Sequence, residues 1–544
     1  MNKLVKEILA KRGLKEQKEI EAFLNPDYDK LADPFLLPDM NLAVERIVRA
    51  VNAGEQIAVY GDYDVDGTVA SALLLEALEC FGAENVMSYI PDRFSEGYGL
   101  NEVAIKKLAN DQVDLIITVD CGSLSHLEIE LANKLGVDVV VTDHHDVAKV
   151  RPPAVAVVNP RYGDSKKIFS DYCGAGVVFQ LVRALQTRLS GLSPGQEKWF
   201  LDLVALGTVS DIVPLAEDNR TLVYWGLKVL AKTRRPGLKA LMAVARVNPK
   251  QVCARSIGFV LGPRLNAAGR LETAKLALSL LRTEDNAEAL SLAEKLDGLN
   301  LERRKEQNGI FEQVCDKLAG CEDEVLVISS RGWSHGIVGI VASKVVEALG
   351  KPVFILEELD DGTAKGSGRS FGDFKLGEAV AATSKWLIKC GGHDAAAGVT
   401  IETVKLPEWR KAINEYYKDL GLKNQAAHLR VREDVEIESL SELTVELARD
   451  LEVLEPFGLA NERPIFKLKN QAAKFVDKIG KESNHLKLTI IDKGQTELKL
   501  LAFEPPKEWF VEPGDKIDLW VNLEINEWRG NETVEGRILS INRK

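Results

Sequence analysis

The sequence has no apolar run of the ~20 residues a bilayer span requires. No secretory leader is expected either. Met1-Asn2-Lys3-Leu4-Val5-Lys6-Glu7-Ile8-Leu9 intersperses charges where a signal carries an apolar stretch, so a helix, a cytoplasmic place and no membrane partner are expected. Seven cysteines are scattered, and no C-x-x-C pair exists. The odd number and the spacing exclude a disulfide framework and a zinc site, leaving reduced thiols. An excess of positive charge is missing too: 70 Lys and Arg stand against 82 Asp and Glu, a formal net charge of −12. Taken alone, that balance speaks against a nucleic-acid binder, which usually carries a basic footprint. Part of the acid is accounted for if it holds metal ions, and a basic groove can exist on an acidic chain because exposed charges are screened beyond about 8–10 Å. Repeats and low-complexity segments are absent.

With 544 residues, the chain is too long for one hydrophobic core, and three or four domains are expected. Residues 1–45 read as an N-terminal helical segment. From Gln56 short apolar strands alternate with helices: Ile57–Tyr60, then a helix over Ser71–Cys80, Leu115–Val119, a helix over Ser125–Leu135, Val137–Val141 and Ala154–Val158. Such alternation predicts a parallel α/β sheet covered on both faces, over residues 46–215. Residues 216–318 read as a helical connector, with one long helix over Ala287–Leu318 despite Gly298 and Gly309. A second α/β unit follows over 319–424, with strands Val325–Ser329 and Pro352–Leu356 around a helix, Ile337–Leu349. Over 425–544, strands His485–Ile491, Glu497–Phe503, Lys516–Ile525 and Val534–Ile541 alternate with turns and predict an OB-like barrel. In that barrel Phe475, Phe503, Trp520 and Trp528 read as core rather than as base-stacking platforms.

The acidic residues fall at strand ends. The first strand runs into Gly61-Asp62-Tyr63-Asp64-Val65-Asp66-Gly67, the second into Asp120, the third into Asp143-His144-His145, and Asp211 closes the segment from Leu203. Ligands of an open parallel sheet bind at the carboxyl ends of its strands, so these clusters converge on one rim. Asp and Gly after a strand are also ordinary turn residues, and any one cluster alone is weak. Asp62, Asp64 and Asp66 resemble the start of a calcium loop, but its twelfth position is Leu73 where a Glu is required. Carboxylates crowded together raise one another's pKa, and divalent cations remove that penalty. Oxygen-rich ligation with one or two imidazoles suits Mn²⁺ or Mg²⁺, and two such ions can clamp both oxygens of a phosphodiester displacement.

These strand-end motifs resemble the DHH phosphoesterases, and longer stretches resemble the RecJ family within them. They are Ile90-Pro91-Asp92-Arg93 with Glu96-Gly97-Tyr98-Gly99-Leu100, Ala205-Leu206-Gly207-Thr208-Val209-Ser210-Asp211, and Gly262-Pro263-Arg264-Leu265-Asn266-Ala267-Ala268-Gly269-Arg270. Trp333-Ser334-His335-Gly336, Gly366-Ser367-Gly368-Arg369 and Gly391-Gly392-His393-Asp394 resemble the associated DHHA1 domain, and Leu454-Glu455-Pro456-Phe457-Gly458 the lead-in to the OB domain. The resemblance implies that Asp64, Asp66, Asp120, His144 and Asp211 hold two ions, with Asp120 bridging. Asp62 and His145 would be catalytic, with His145 facing the scissile phosphate. Arg93, Arg264, Arg270, Ser367, Arg369 and His393 would bind substrate. Family members often carry Gln where Arg304 stands, and the chain stops soon after the barrel, so an extra C-terminal domain of some relatives is expected to be absent.

The implied fold is a DHH domain, a helical connector, a DHHA1 domain and an OB-like barrel. The implied activity is metal-dependent hydrolysis of single-stranded DNA from the 5′ end to 5′-mononucleotides, in DNA repair and recombination, by a monomer working with a helicase and a single-strand-binding protein. Two alternatives share the motifs. One is a short-oligonucleotide or cyclic-dinucleotide phosphodiesterase, which would be shorter and lack the barrel. The other is a non-catalytic replication-fork binding protein, which can lose the metal ligands that this chain retains.

Overall fold

The computed structural model of the chain describes residues 2–163, 169, 171–422, 431–480, 483–492 and 494–543. Among these, no helix is long and apolar enough to cross a membrane. The chain divides into two compact units: residues 27–423 with 458–461, and residues 1–26 with 424–457 and 462–544.

The larger unit begins with a five-stranded parallel sheet. Its strands are β1 Ile57–Gly61, β2 Val86–Tyr89, β3 Leu115–Val119, β4 Asp138–Thr142 and β5 Ala156–Val158, in the order β2-β1-β3-β4-β5. Successive side chains feed opposite cores. Ile57, Val59, Ile117 and Val140 enter one apolar cluster, while Ala58, Tyr60, Ile116 and Val139 enter another. Burial on both faces explains why these strands are continuously apolar. The expected helix over Ser71–Cys80 starts earlier, at Val65. Asp64 caps it by accepting the Gly67 N–H at 3.1 Å, so Asp66 lies on its first turn rather than in a loop.

The connector is helical, and Asn286–Leu318 is one helix of 33 residues. Ahead of it, Ala254–Ser256 and Gly262–Leu271 are joined by a π-helical turn, Ile257–Leu261. Pro263 has no N–H for the helical ladder, and the widened turn absorbs it. The second sheet is mixed: β6 Leu326–Arg331, β7 Val353–Glu358, β8 Thr363–Arg369, β9 Leu387–Gly392 and β10 Ala396–Glu402, in the order β6-β7-β8-β10-β9. Its β6–β7 pair is parallel and the others are antiparallel.

In the smaller unit, β12 Phe466–Ile479, β13 His485–Ile491, β14 Glu497–Ala502, β15 Lys516–Trp528 and β16 Asn531–Arg543 close into a barrel through a β12–β15 pairing, with β11 Val435–Ile437 beside β12. Residues 1–45, read from the sequence as one segment, are shared between the units. Helix Lys3–Lys11 buries Val5, Ile8 and Leu9 in the barrel's core cluster, whereas Met40–Ala53 packs on the first sheet's core. Phe475 and Phe503, expected in the barrel core, are 54% and 55% exposed. A bulge between Ala473 and Phe475 breaks the alternation of β12 and turns Phe475 outward. Trp520 is half-buried and donates to Glu433 Oε2 at 2.9 Å, and the Trp528 side chain lies outside the described residues.

Candidate metal centre and phosphate pocket

The carboxyl ends of β1, β3 and β4 lie side by side, and their following residues meet at one rim. Asp62, Asp66, Asp120 and His144 are buried there, and Asp211 arrives from the end of helix Leu201–Ser210. His144 Nε2 lies 3.1 Å from Asp120 Oδ1, 3.6 Å from Asp211 Oδ2 and 4.0 Å from Asp66 Oδ2. His145 Nδ1 lies 3.8 Å from Asp120 Oδ1. Three overlapping sets have ligand atoms within 4.8 Å of one another: Asp120, His144 and His145; Asp66, His144 and Asp211; and Asp62, Asp64 and Asp120. Asp120 and His144 each belong to two of them.

Several of these atoms are buried and unsatisfied. Asp62 Oδ1, Asp120 Oδ1 and His144 Nε2 have no hydrogen-bond partner. Such orphans are costly in a protein interior unless something else coordinates them. Burial, followed by the charge of Asp64, pushes the Asp62 carboxyl up to about 8. Burial and neighbouring carboxylates push Asp211 to about 8 and Asp66 to about 6, and hold Asp120 well above the usual range. Burial, then the charge of His145, lowers His144 to about 4, so its imidazole is neutral and free to ligate. The donor set fits hard divalent cations. Two glycines make the crowding possible. A Cβ on Gly174 would stand 2.6 Å from Asp120 Cβ, and one on Gly207 only 2.4 Å from Asp66 Oδ1. Asp66 also accepts the N–H groups of Gly174 and Ala175, at 2.5 and 3.0 Å, at the start of helix Gly174–Leu185.

Asp143 takes no part in these sets. It accepts the N–H groups of Ser123, His144 and His145 and, at 2.8 Å, the Nδ1 of His145. Burial would raise its carboxyl, but the hydrogen bond and charge of His145 outweigh that and hold it well below the usual range. In return His145, which burial alone would lower, is raised to about 9. Tyr98, quoted in a motif but assigned no task, places its hydroxyl 3.2 Å from His145 Nδ1 and donates to the Asp120 carbonyl at 3.3 Å.

Beside this rim lies a cluster of guanidinium groups. Burial, then the nearby charges of Arg93 and Arg303, lowers Arg270 to about 9, with Arg369 adding to the repulsion. Arg270 donates to the Gly336 carbonyl at 3.0 Å, and Arg369 to Ser367 Oγ at 2.7 Å. A Cβ on Gly339 would stand 3.2 Å from Arg369 Nη2 and 3.4 Å from Ser367 Oγ, so this pair lies against helix His335–Leu349. Arg93 Nε and Arg303 Nε are buried without partners, and the Arg93 guanidinium stacks 4.1 Å from the Tyr63 ring centroid. Like charges gathered this way call for an anion, and arginine forks match phosphate. Arg303 was not singled out in the sequence, where it reads as an ordinary charge on a helix. Arg264 differs: its Nε donates to Asp297 at 2.8 Å and its Nη1 to the Val260 carbonyl at 2.7 Å. His393 is 63% exposed and lies 2.9 Å from Asp146, next to the Asp-His-His motif.

Residues 56–208 match the model of the DHH family, N-terminal domain, residues 322–419 the DHHA1 domain, and residues 434–540 the RecJ OB domain. The chain is 35% identical over 97% of its length to the single-stranded-DNA-specific exonuclease RecJ of Bacillus subtilis, and spans 66% of that protein. It is 32% identical over 98% of its length to the RecJ of Salmonella typhimurium, spanning 94% of it. The crystal structure of RecJ in complex with Mn²⁺ from Thermus thermophilus superposes with a TM-score of 0.83 at 29% identity, covering 99% of this chain and 75% of that one. A buried acidic rim on a DHH sheet, a DHHA1 domain, a RecJ OB barrel and near-complete coverage of the Salmonella protein lead to one conclusion: the chain belongs to the RecJ family.

Proposed function

We propose that the chain is a cytoplasmic exonuclease that degrades single-stranded DNA from the 5′ end and releases 5′-mononucleotides. The observation that carries this reading is the juxtaposition, within one compact unit, of a carboxylate–imidazole rim with orphaned buried atoms and a cluster of mutually repelling guanidiniums. Asp64, Asp66, Asp120, His144 and Asp211 would hold two Mn²⁺ or Mg²⁺ ions, with Asp120 shared. The ions supply Lewis acidity, a lowered pKa for water and neutralisation of charge on phosphorus. Asp62, buried beside Asp64, would stay close enough to accept a proton from water. His145, oriented by Asp143, would face the scissile phosphate and donate to its oxygen.

Arg93, Arg270, Ser367 and Arg369 would take the terminal 5′ phosphate. That group differs from an internal phosphate by extra charge and an extra acceptor oxygen, which is what defines an end chemically. Arg303 joins this pocket. In the barrel, Phe475 and Phe503 are exposed, with Lys474 5.3 Å and Arg537 5.6 Å from their ring centroids. Exposed rings next to cations suit a single strand, whose bases offer free faces and whose backbone is anionic. The test is product analysis on end-labelled single strands with Mn²⁺ or EDTA. Release of mononucleotides from the 5′ end with Mn²⁺ alone is expected. Cleavage from the 3′ end, or none, would overturn the reading.

A further inference from the structure

Two residues of the metal-ligand sets lean on one short stretch of chain, residues 172–175. The Gly174 and Ala175 N–H groups hold both oxygens of Asp66. The Tyr172 backbone takes a hydrogen bond from the His144 ring; because Nε2 is the nitrogen that faces Asp66, Asp120 and Asp211, that bond belongs to Nδ1. Fixing one ring nitrogen fixes where the other points. What fixes the stretch itself lies away from the rim. The Tyr172 side chain is buried, and its hydroxyl donates to Asp218 Oδ2, on the first turn of helix Glu217–Leu230. The same oxygen accepts the Ala32 N–H at 3.1 Å. Arg183 Nη1 donates to the Ala32 carbonyl at 2.8 Å and to Gln180 Oε1 at 2.6 Å, and Gln180 Nε2 donates back to the Tyr172 hydroxyl at 2.9 Å. These contacts close a ring of hydrogen bonds through Tyr172. Next to Asp218, Asn219 Nδ2 donates to the Asp171 carbonyl at 2.6 Å and to the Pro214 carbonyl at 3.0 Å, joining the stretch to the chain that leaves Asp211.

A buried tyrosine must satisfy its hydroxyl in any case, and Tyr28 does so in the same core cluster by donating to Glu197 at 2.9 Å. Tyr172 differs in what its own peptide and the next peptides carry. We infer that Tyr172 and Asp218 are positioning residues of the metal centre: their bond holds residues 172–175 so that His144 presents Nε2, and Asp66 its carboxylate, to one ion. The inference rests on the two-ion reading above and deepens it. Asp66 and His144 meet in the set with Asp211, so the brace serves that ion rather than one held by Asp62, Asp64 and Asp120. Polar groups behind a metal ligand set its direction, and losing one weakens the metal about 10–100-fold.

The experiment titrates the full chain with Mn²⁺, read by electron paramagnetic resonance. Y172F removes the hydroxyl and keeps the ring, D218A removes its acceptor, and D218N keeps an oxygen that can accept. In Y172F and D218A one of the two Mn²⁺ sites should weaken about tenfold or more. The double variant should bind no more weakly than the weaker single one, because both act through one bond. D218N should bind like the wild type, and saturating Mn²⁺ should restore turnover to Y172F, whose ligands are all intact. Y28F is the control: it loses a buried hydroxyl from the same core and should leave both sites unchanged. In EDTA the Gly174 and Ala175 amides should exchange faster in Y172F than in Y28F, which reads the brace with no metal present. Two ions bound alike by the wild type and Y172F, or an equal weakening in Y28F, would overturn the inference alone. A wild type that binds no Mn²⁺ would take down the two-ion reading and the inference together. Should D218A not fold, Y172F against D218N and Y28F decides.

Discussion

His145 Nδ1 lies 2.8 Å from Asp143 Oδ1, and the same oxygen accepts the backbone N–H groups of both histidines. One carboxylate thus orients the imidazole and fixes its charge. With the metal removed, the His145 proton should be lost near pH 9. Asp143→Asn keeps the shape and removes the charge, so the titration seen by NMR should move down towards the ordinary imidazole range near 6.5. Turnover at neutral pH should fall by roughly ten- to a hundredfold, the usual cost of losing an outer partner at a metal site. An unmoved His145 titration in the variant would show that Asp143 does not hold it.

Metal removal should make stability depend on pH in a particular direction. Asp62, Asp66 and Asp211 are raised in the folded chain, to about 8, 6 and 8. Below their unfolded values, near 4, both states are protonated and the full benefit is present; as pH rises through 6 to 8, the folded chain must ionise crowded carboxylates and stability is lost. In EDTA the melting temperature should therefore fall between pH 5 and pH 8. Mn²⁺ should lessen that fall, adding about 2.7 kcal/mol at a free concentration near 100 times its Kd. Calorimetry at both pH values checks this; a pH-independent melting temperature in EDTA would contradict it. Asp120→Ala should remove the Mn²⁺ response and the turnover together.

Arg264 and Arg270 stand on one helix and should behave differently. Arg369→Ala and Arg270→Ala should erase the preference for a 5′-phosphorylated over a 5′-hydroxyl strand, a loss of about tenfold or more for a charge-assisted contact. Arg264→Ala breaks its pair with Asp297. It should leave the preference intact and cost at most about 1 kcal/mol, because the pair is partly solvated. Competition between the two strands for each variant decides; equal loss in all three would place Arg264 in the pocket as well.

Ile8 is fully buried in the core cluster of the barrel unit. Ile8→Ala should cost that unit about 2–5 kcal/mol. Hydrogen exchange should quicken in β12–β16 and remain slow in β1 and β3. Faster exchange in β3 of the first sheet would mean that the two units do not unfold separately.

Much of this was legible before the structure. Three apolar strands ending in acids can be read locally, because burial on both faces leaves only one composition for a strand. The long helix over Asn286–Leu318 survives two glycines because each costs only about 1 kcal/mol, spread over many turns. Other features were decided by contacts distant in sequence. Strand β8, Thr-Ala-Lys-Gly-Ser-Gly-Arg, has little β propensity, and its pairing with β7 and β10 makes it a strand. Strand β2 has four residues and lies at a sheet edge, too short to show a period.

What the sequence by itself determined was the inventory: which acids end strands, which segments are helices, and which motifs name the family. The tertiary structure decided the company each side chain keeps. It turned Arg264 to Asp297 and left Arg270 among other arginines, made Asp143 the support of His145, and placed Lys3–Lys11 in the core of a barrel more than 400 residues away. The physical reason is range. Periodicity and turn chemistry act over a few residues, whereas charge repulsion, burial and hydrogen-bond satisfaction depend on neighbours that only folding brings together.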